Sequence, residues 1–257
     1  MQASIRVPAD PLLHYRLRIA DTALILGQRL SEWAGHGPVL EEDIALANMA
    51  LDLIGQARAL LARVAQIAGD GLDEDRLAFL RDERDYRNVT LVELPRGDFA
   101  VTVLRNAMAA TFLQLLWSRL EASSDTELAA IAAKAAKEAR YHREHAGDWV
   151  LRLGDGTDES ARRMRAAVQR LWPYAAELFA DDAVDEAAAA AGLGPRWSEL
   201  ATDWTAAMEA LLAEAGLTVP PATAFVSTGK RGVHSEHMGY ILAEMQQLQR
   251  SFPGGVW

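Results

Sequence analysis

The sequence predicts an all-α protein, and three observations carry that prediction. Alanine, leucine and arginine recur along the whole of its 257 residues, whereas Gly and Pro gather at a few points, the signature of helices joined by short connections. Apolar residues return at helical spacing, as at Leu46, Ala50, Leu53, Ala57, Leu60, Val64 and Ile67, while strands are hard to find. Acidic residues stand where helices should begin, Asp98 and Asp125 among them, ready to cap free N–H groups.

Taken in order, a first long helix should run from Pro11 to Ala34 and stop at Gly35-His36-Gly37-Pro38. The second opens near Glu41, where three acidic residues suit the positive end of the helix dipole, and runs to Gly69. Beside its first apolar stripe lies another, Ile44, Ala47, Leu51, Ile54 and Leu61, and so wide a face implies burial against more than one neighbour. A short helix from Asp73 to Glu83 and an irregular stretch from Arg84 to Gly97 should follow. Asp98 to Leu120 is the most apolar segment, but Arg105, Asn106 and Gln114 interrupt it, which marks a core helix rather than a membrane span. A fourth helix should extend from Asp125 to Leu153. These four helices of about 22 to 29 residues, roughly 33 to 43 Å long, make a four-helix bundle of two helix pairs, joined by the long 84–97 crossing in the manner of ferritin-like proteins. Accessory C-terminal helices are expected at 159–179, 195–215 and 234–252, with the Ala187–Ala191 run a short helix of its own. The whole, 1–257, reads as a single ferritin-like domain with its core bundle at 11–153 and the accessory helices at 159–252.

Composition narrows the chemistry. With 26 Lys and Arg against 36 Asp and Glu the net charge is −10, so nucleic acid is not the expected partner. The absence of cysteine removes disulfides, thiolate metal sites, iron–sulfur clusters and cysteine nucleophiles, and it makes the cytoplasm the expected compartment. Neither an apolar signal-peptide core near the N-terminus nor an uninterrupted run of about 18 apolar residues occurs, so no membrane association is expected.

A ferritin-like bundle raises the question of two iron ions. Such a centre needs one carboxylate from each of two helices and Glu-x-x-His from each of the other two, the spacing of three placing both ligands on one helical face. From Phe99 to Leu120 there is no Asp, Glu or His, the second helix has no histidine, and the first offers only Asp21 between His14 and Glu32. No di-iron centre is expected. His142 and His145, with Glu138 one turn earlier, form the next candidate metal cluster, but His142 lies on the stripe Ala132, Ala135, Ala139, Ala146 and reads as a core histidine. His234-Ser235-Glu236-His237 stands at a helix start, where capping explains it. Gly229-Lys230-Arg231-Gly232 is either a cationic contact for phosphate or acid, or a solvated turn; without the rest of a phosphate loop the turn is favoured.

Several blocks then fall into a familiar order: Arg29 to Pro38, Asp43 to Arg58, Leu77 to Arg84, Lys134 to His142 and Gly229 to Arg250. Together they resemble the C subunits of bacterial phenylacetyl-CoA 1,2-epoxidases, the ring-activating oxygenases of aerobic phenylacetate breakdown, over nearly the whole chain. The resemblance implies a structural subunit that is no enzyme on its own and pairs with the di-iron catalytic subunit of the epoxidase, with further subunits and a reductase completing a hetero-oligomeric monooxygenase complex. Laid on this chain, the catalytic subunit's ligand pattern falls on Leu53 and Gln56, on Ala139 and His142, and near Ala23 and Ala110. Five of the six positions are apolar or amide, which implies a degenerate metal site, no cofactor in this chain, and hydrogen-bond partners for Gln56 and His142. Three alternatives stay open: an active di-iron or manganese oxidase with other ligands, an acyl-CoA binder using Lys230 and Arg231, and a homodimeric scaffold.

Overall fold

The computed structural model describes residues 4–255. Among them there are ten α-helices and no strand, apart from one isolated bridge between Thr228 and Val233. The all-α expectation holds, in agreement with a ferritin-like helical fold. The chain divides into two compact units, one formed by the residues up to Pro95 with those from Thr228 onward, the other by Arg96–Ser227.

In the first unit α1 (Pro11–Ser31) starts at Asp10, whose carboxylate accepts from Leu12 N at 2.8 Å, with proline at the first helical position. It is buried nearly all round, Arg16, Arg18 and Asp21 included, which makes it a core helix rather than an amphipathic one. It pairs along its length with α2 (Leu40–Ala68). The helices come close at Gly27, where an added Cβ would lie 3.2 Å from the Ala50 carbonyl oxygen and 3.4 Å from Leu53 Cβ. Three acids open α2, and Gly69 at φ 70° closes it. Of its two apolar stripes, the first is buried apart from Ile67, whereas Ile44 and Leu51 of the second are exposed.

The segment read as one helix over 73–83 is shorter. α3 spans Glu74–Phe79, capped by Asp73, and a 3-10 turn follows at Glu83–Asp85. Between them Arg81 turns inward, its side chain wholly buried. The stretch expected to be irregular contains a one-turn helix, α4 (Thr90–Glu93), all four residues of which are buried. The unit is completed by its last helix, Glu236–Ser251, described below as α10.

The second unit is built on α5 (Phe99–Leu120) paired with α6 (Thr126–Gly154). Their caps are the expected ones: Asp98 accepts from Val101 N at 3.0 Å, and Asp125 from Glu127 N and Leu128 N at 3.1 and 3.3 Å. Around this pair lie α7 (Asp158–Leu171), α8 (Ala183–Ala190) and α9 (Ala201–Glu214). The expected 159–179 helix stops at Leu171 and continues as a 3-10 segment, Trp172–Phe179, because Pro173 has no N–H to donate. A 3-10 turn, Trp197–Leu200, likewise precedes α9. The Ala187–Ala191 run falls at the end of α8, as expected. The core here is aromatic: Phe112 meets Trp197 at 4.9 Å, Phe179 meets Trp204 at 5.3 Å, and Trp172 meets Trp204 at 5.4 Å between ring centroids.

By length and composition α2 and α5 would each reach across a bilayer, but the apolar window of α5 is 83% buried, as a core helix requires, while that of α2 is 44% buried.

Candidate functional site

The six positions on which the resemblance lays the catalytic subunit's ligands are all buried, each within its own unit. In the first, Ala23 (α1), Leu53 and Gln56 (α2) are 0, 1 and 4% exposed. Ala23 lies one turn before Gly27 on the same face of α1, the face that α2 approaches through Leu53. In the second, Ala110 (α5), Ala139 and His142 (α6) are 3, 2 and 4% exposed. Methyl and isobutyl groups have no lone pair to give a metal, so the donor set at these positions does not fit two iron ions. Among the described residues no group of three His, Asp or Glu side chains is placed to hold a metal. Tyr141 is exposed, its ring 6.2 Å from those of His142 and His145.

The first helix's one candidate carboxylate is engaged elsewhere. Asp21 receives a two-pronged pair from Arg81, Nη2 to Oδ1 at 2.5 Å and Nη1 to Oδ2 at 2.9 Å, with both side chains wholly buried. Arg87 N donates to the same carboxylate at 2.8 Å. Arg81 also donates Nε to the Leu77 carbonyl at 2.5 Å and Nη1 to that of Asp85 at 3.2 Å, and it lies 4.3 Å over the Tyr86 ring. Burial alone would lower the guanidinium pKa, but the charge and hydrogen bonds of Asp21 raise it. Burial also pushes the Tyr86 phenol up, and its hydroxyl donates to the Ala78 carbonyl. The last helix closes this network: Gln246 Nε2 reaches the carbonyls of Ala78 and Arg81 at 3.3 and 3.0 Å and Tyr86 Oη at 3.1 Å.

A second buried carboxylate, Glu93 of α4, gathers three N–H donors. Oε2 accepts from Asn88 Nδ2 at 2.9 Å and His234 Nδ1 at 2.7 Å, and Oε1 accepts from Ser235 N at 2.5 Å. The Glu93 main-chain carbonyl accepts from Arg29 Nε and Nη2 at 3.2 and 2.7 Å. Ser235 is also the N-cap of α10 (Glu236–Ser251), accepting from His237 N. His234-Ser-Glu-His237 is thus a helix start, as its sequence suggests, and its first histidine is a hydrogen-bond partner of Glu93.

The adjoining Gly-Lys-Arg-Gly segment departs from the expected solvated turn. Lys230 is 1% exposed, and only Arg231 stands at the surface. The glycines explain why. A Cβ at Gly229 would lie 2.6 Å from the Asn88 carbonyl oxygen and 2.8 Å from Thr90 Oγ1; one at Gly232, where φ is +82°, would collide with the Arg84 carbonyl oxygen and Arg87. Both glycines permit close backbone packing on the 84–90 stretch, so the spacing that suggested a cationic loop is a packing requirement.

The sequence from residue 2 to 257 matches the family model described as phenylacetic acid catabolic protein. This chain belongs to that family. It is similar to the C subunit of the 1,2-phenylacetyl-CoA epoxidase of Escherichia coli (strain K12), with 49% identity over 248 residues, 96% of this chain and 100% of that one. Membership of the phenylacetic acid catabolic protein family covers both units, so the buried Asp21–Arg81 and Glu93–His234 pairs lie inside the matched region. Neither pair is apparent in the sequence. Their members are 60 and 141 residues apart, and the only local signals are the lone acid of α1 and the glycines flanking Lys230-Arg231.

Proposed function

We propose that this chain is the structural, non-catalytic subunit of a multicomponent phenylacetyl-CoA 1,2-epoxidase, pairing with and stabilising the di-iron catalytic subunit in aerobic phenylacetate degradation. One observation carries the reading: four of the six positions matched to the catalytic subunit's ligands bear aliphatic side chains and one an amide, and all six are buried. Iron and oxygen activation then belong to the catalytic subunit, electrons come from a reductase, and this chain works without a cofactor in the cytoplasm. Co-expression with a catalytic subunit bearing two Glu-x-x-His sequences tests it. The expected result is one complex whose iron remains with the partner when the two are separated. About two irons bound per isolated copy of this chain, the occupancy of a di-iron bundle, or failure of the two to co-purify, would overturn the reading.

The outer row of α2 supports a paired role and suggests the surface used. Leu40, Ile44 and Leu51 are 72, 52 and 66% exposed, while Gly55 leaves open space above the backbone. Obligate partners cover such faces with interfaces of about 2,000 Å² or more. Leu51→Glu is therefore expected to weaken pairing with the catalytic subunit about tenfold or more, roughly 1.4 kcal/mol, while leaving the isolated chain's unfolding midpoint unchanged. Titration by sizing or calorimetry reads the first, urea unfolding the second.

A further inference from the structure

We infer that His234 and Glu93 form a proton-dependent clasp that fastens the returning C-terminal segment, residues 228–235 and α10, onto the buried 84–93 stretch, and that the clasp opens when His234 loses a proton. The geometry carries it. Both side chains are wholly buried. His234 Nδ1 lies 2.7 Å from Glu93 Oε2 and its Nε2 lies 3.2 Å from the Tyr86 carbonyl oxygen. A carbonyl oxygen and an ionised carboxylate only accept, so both ring nitrogens must donate, and only the imidazolium has two N–H groups. The neutral ring leaves one of these buried acceptors facing a lone pair, and it turns an ion pair into a carboxylate short of its counter-charge.

Glu93 is suited to the role of a hub. Its side chain holds His234, Asn88 and Ser235 N, and its carbonyl holds Arg29 of α1. The segment it fastens has little else to adapt with, because Gly229 and Gly232 press backbone against backbone and Gly229 N already donates to Thr90 Oγ1 at 3.2 Å. A loosened clasp therefore frees residues 228–235 together rather than one side chain alone.

The charged and titratable groups on the elements packed here are His14, Arg16, Arg18, Asp21 and Arg29 of α1, Arg81, Asp82, Glu83, Arg84, Asp85, Tyr86 and Arg87 before α4, Glu93 itself, Lys230 and Arg231 on the returning segment, and Glu236, His237, Tyr240, Glu244 and Arg250 on α10. Burial works against the His234 charge, but the hydrogen bond and charge of Glu93 outweigh it and hold the pKa above the ordinary 6.5. A raised pKa means that the clasp is at full strength below about 6.5, the ordinary histidine value, and weakens about tenfold per pH unit above it until the raised value is passed.

Hydrogen exchange on the full chain between pH 6 and 10 tests this, with amides at 229–238 referenced to those of α5 to cancel the intrinsic pH dependence, and ¹⁵N spectra of the His234 ring report its protonation. Expected are a doubly protonated ring at neutral pH and protection at 229–238 that falls from about pH 6.5 upward and levels off once that ring has titrated. In His234→Gln, which keeps one donor and cannot titrate, the fall should vanish. Glu93→Gln, which keeps an acceptor but no charge, should move His234 titration to lower pH and make the loss of protection correspondingly smaller. A neutral ring at pH 7, protection in the native chain that ignores pH, or the same fall in His234→Gln (assigning it to Lys230 or another group) would each overturn the clasp. Should His234→Gln fail to fold, the ring spectra and Glu93→Gln still decide it.

Discussion

Asp21→Ala should lower the free energy of unfolding by about 3–5 kcal/mol, the range for removing one member of a buried ion pair. The size follows from what is left behind. Arg81 would remain wholly buried with its carbonyl partners at Leu77 and Asp85 and the Tyr86 ring beneath it, but with no negative charge to balance it. Arg87 N would also lose its acceptor. Urea unfolding at neutral pH measures the effect, and a loss below about 1 kcal/mol, the worth of an exposed pair, would show that the pair is not held in a dry interior. The paired replacement Asp21→Leu with Arg81→Met should recover most of the loss, since an apolar pair of similar volume is often neutral or better. Asp21 is therefore a folding residue, although it stands on the one acid-bearing turn of a helix that would have to supply a metal ligand.

The second large effect lies in the other unit. Trp204→Ala should cost about 3–5 kcal/mol, the usual range for a buried aromatic. The indole is 2% exposed, packs between Trp172 and Phe179, and donates Nε1 to the Met108 carbonyl at 3.0 Å. It also lines a cleft of about 420 Å³ together with Val219, Pro220 and Pro221. Truncation opens the core to that cleft, so water fills the space and a helix carbonyl loses its donor as well. Near-ultraviolet circular dichroism should lose aromatic signal as the unfolding midpoint drops; a midpoint matching the native chain would contradict this account of the aromatic core.

Much of the fold is legible in the chain because its signals are local. Asp10, Asp98 and Asp125 each cap the helix that follows, and the caps together with a 3.6-residue period define the long helices. Legibility ends where the deciding partner is distant. Arg81 breaks the expected 73–83 helix because Asp21, on another helix, draws it inward. The 84–97 stretch reads as irregular because what orders it, the Gly229–Ser235 backbone, arrives more than a hundred residues later. Lys230 departs from expectation for the same reason: composition marks lysine as exposed, and only the neighbouring glycines hint at close packing. The ligand positions are easier, since the absence of Asp, Glu and His from Phe99–Leu120 is visible in print.

The way the first unit is assembled from both ends of the sequence sets an order of events during synthesis. Arg96–Ser227 is contiguous, so all of its contacts can form as soon as it leaves the ribosome. The N-terminal portion emerges earlier but must wait. Until Gln246 arrives, the carbonyls of Ala78 and Arg81 lack the amide that joins them; until His234 and Ser235 arrive, Glu93 is a carboxylate with Asn88 alone of its three donors. The last portion translated therefore completes the first unit, and a chain interrupted before residue 234 would leave a buried carboxylate short of two of its three donors.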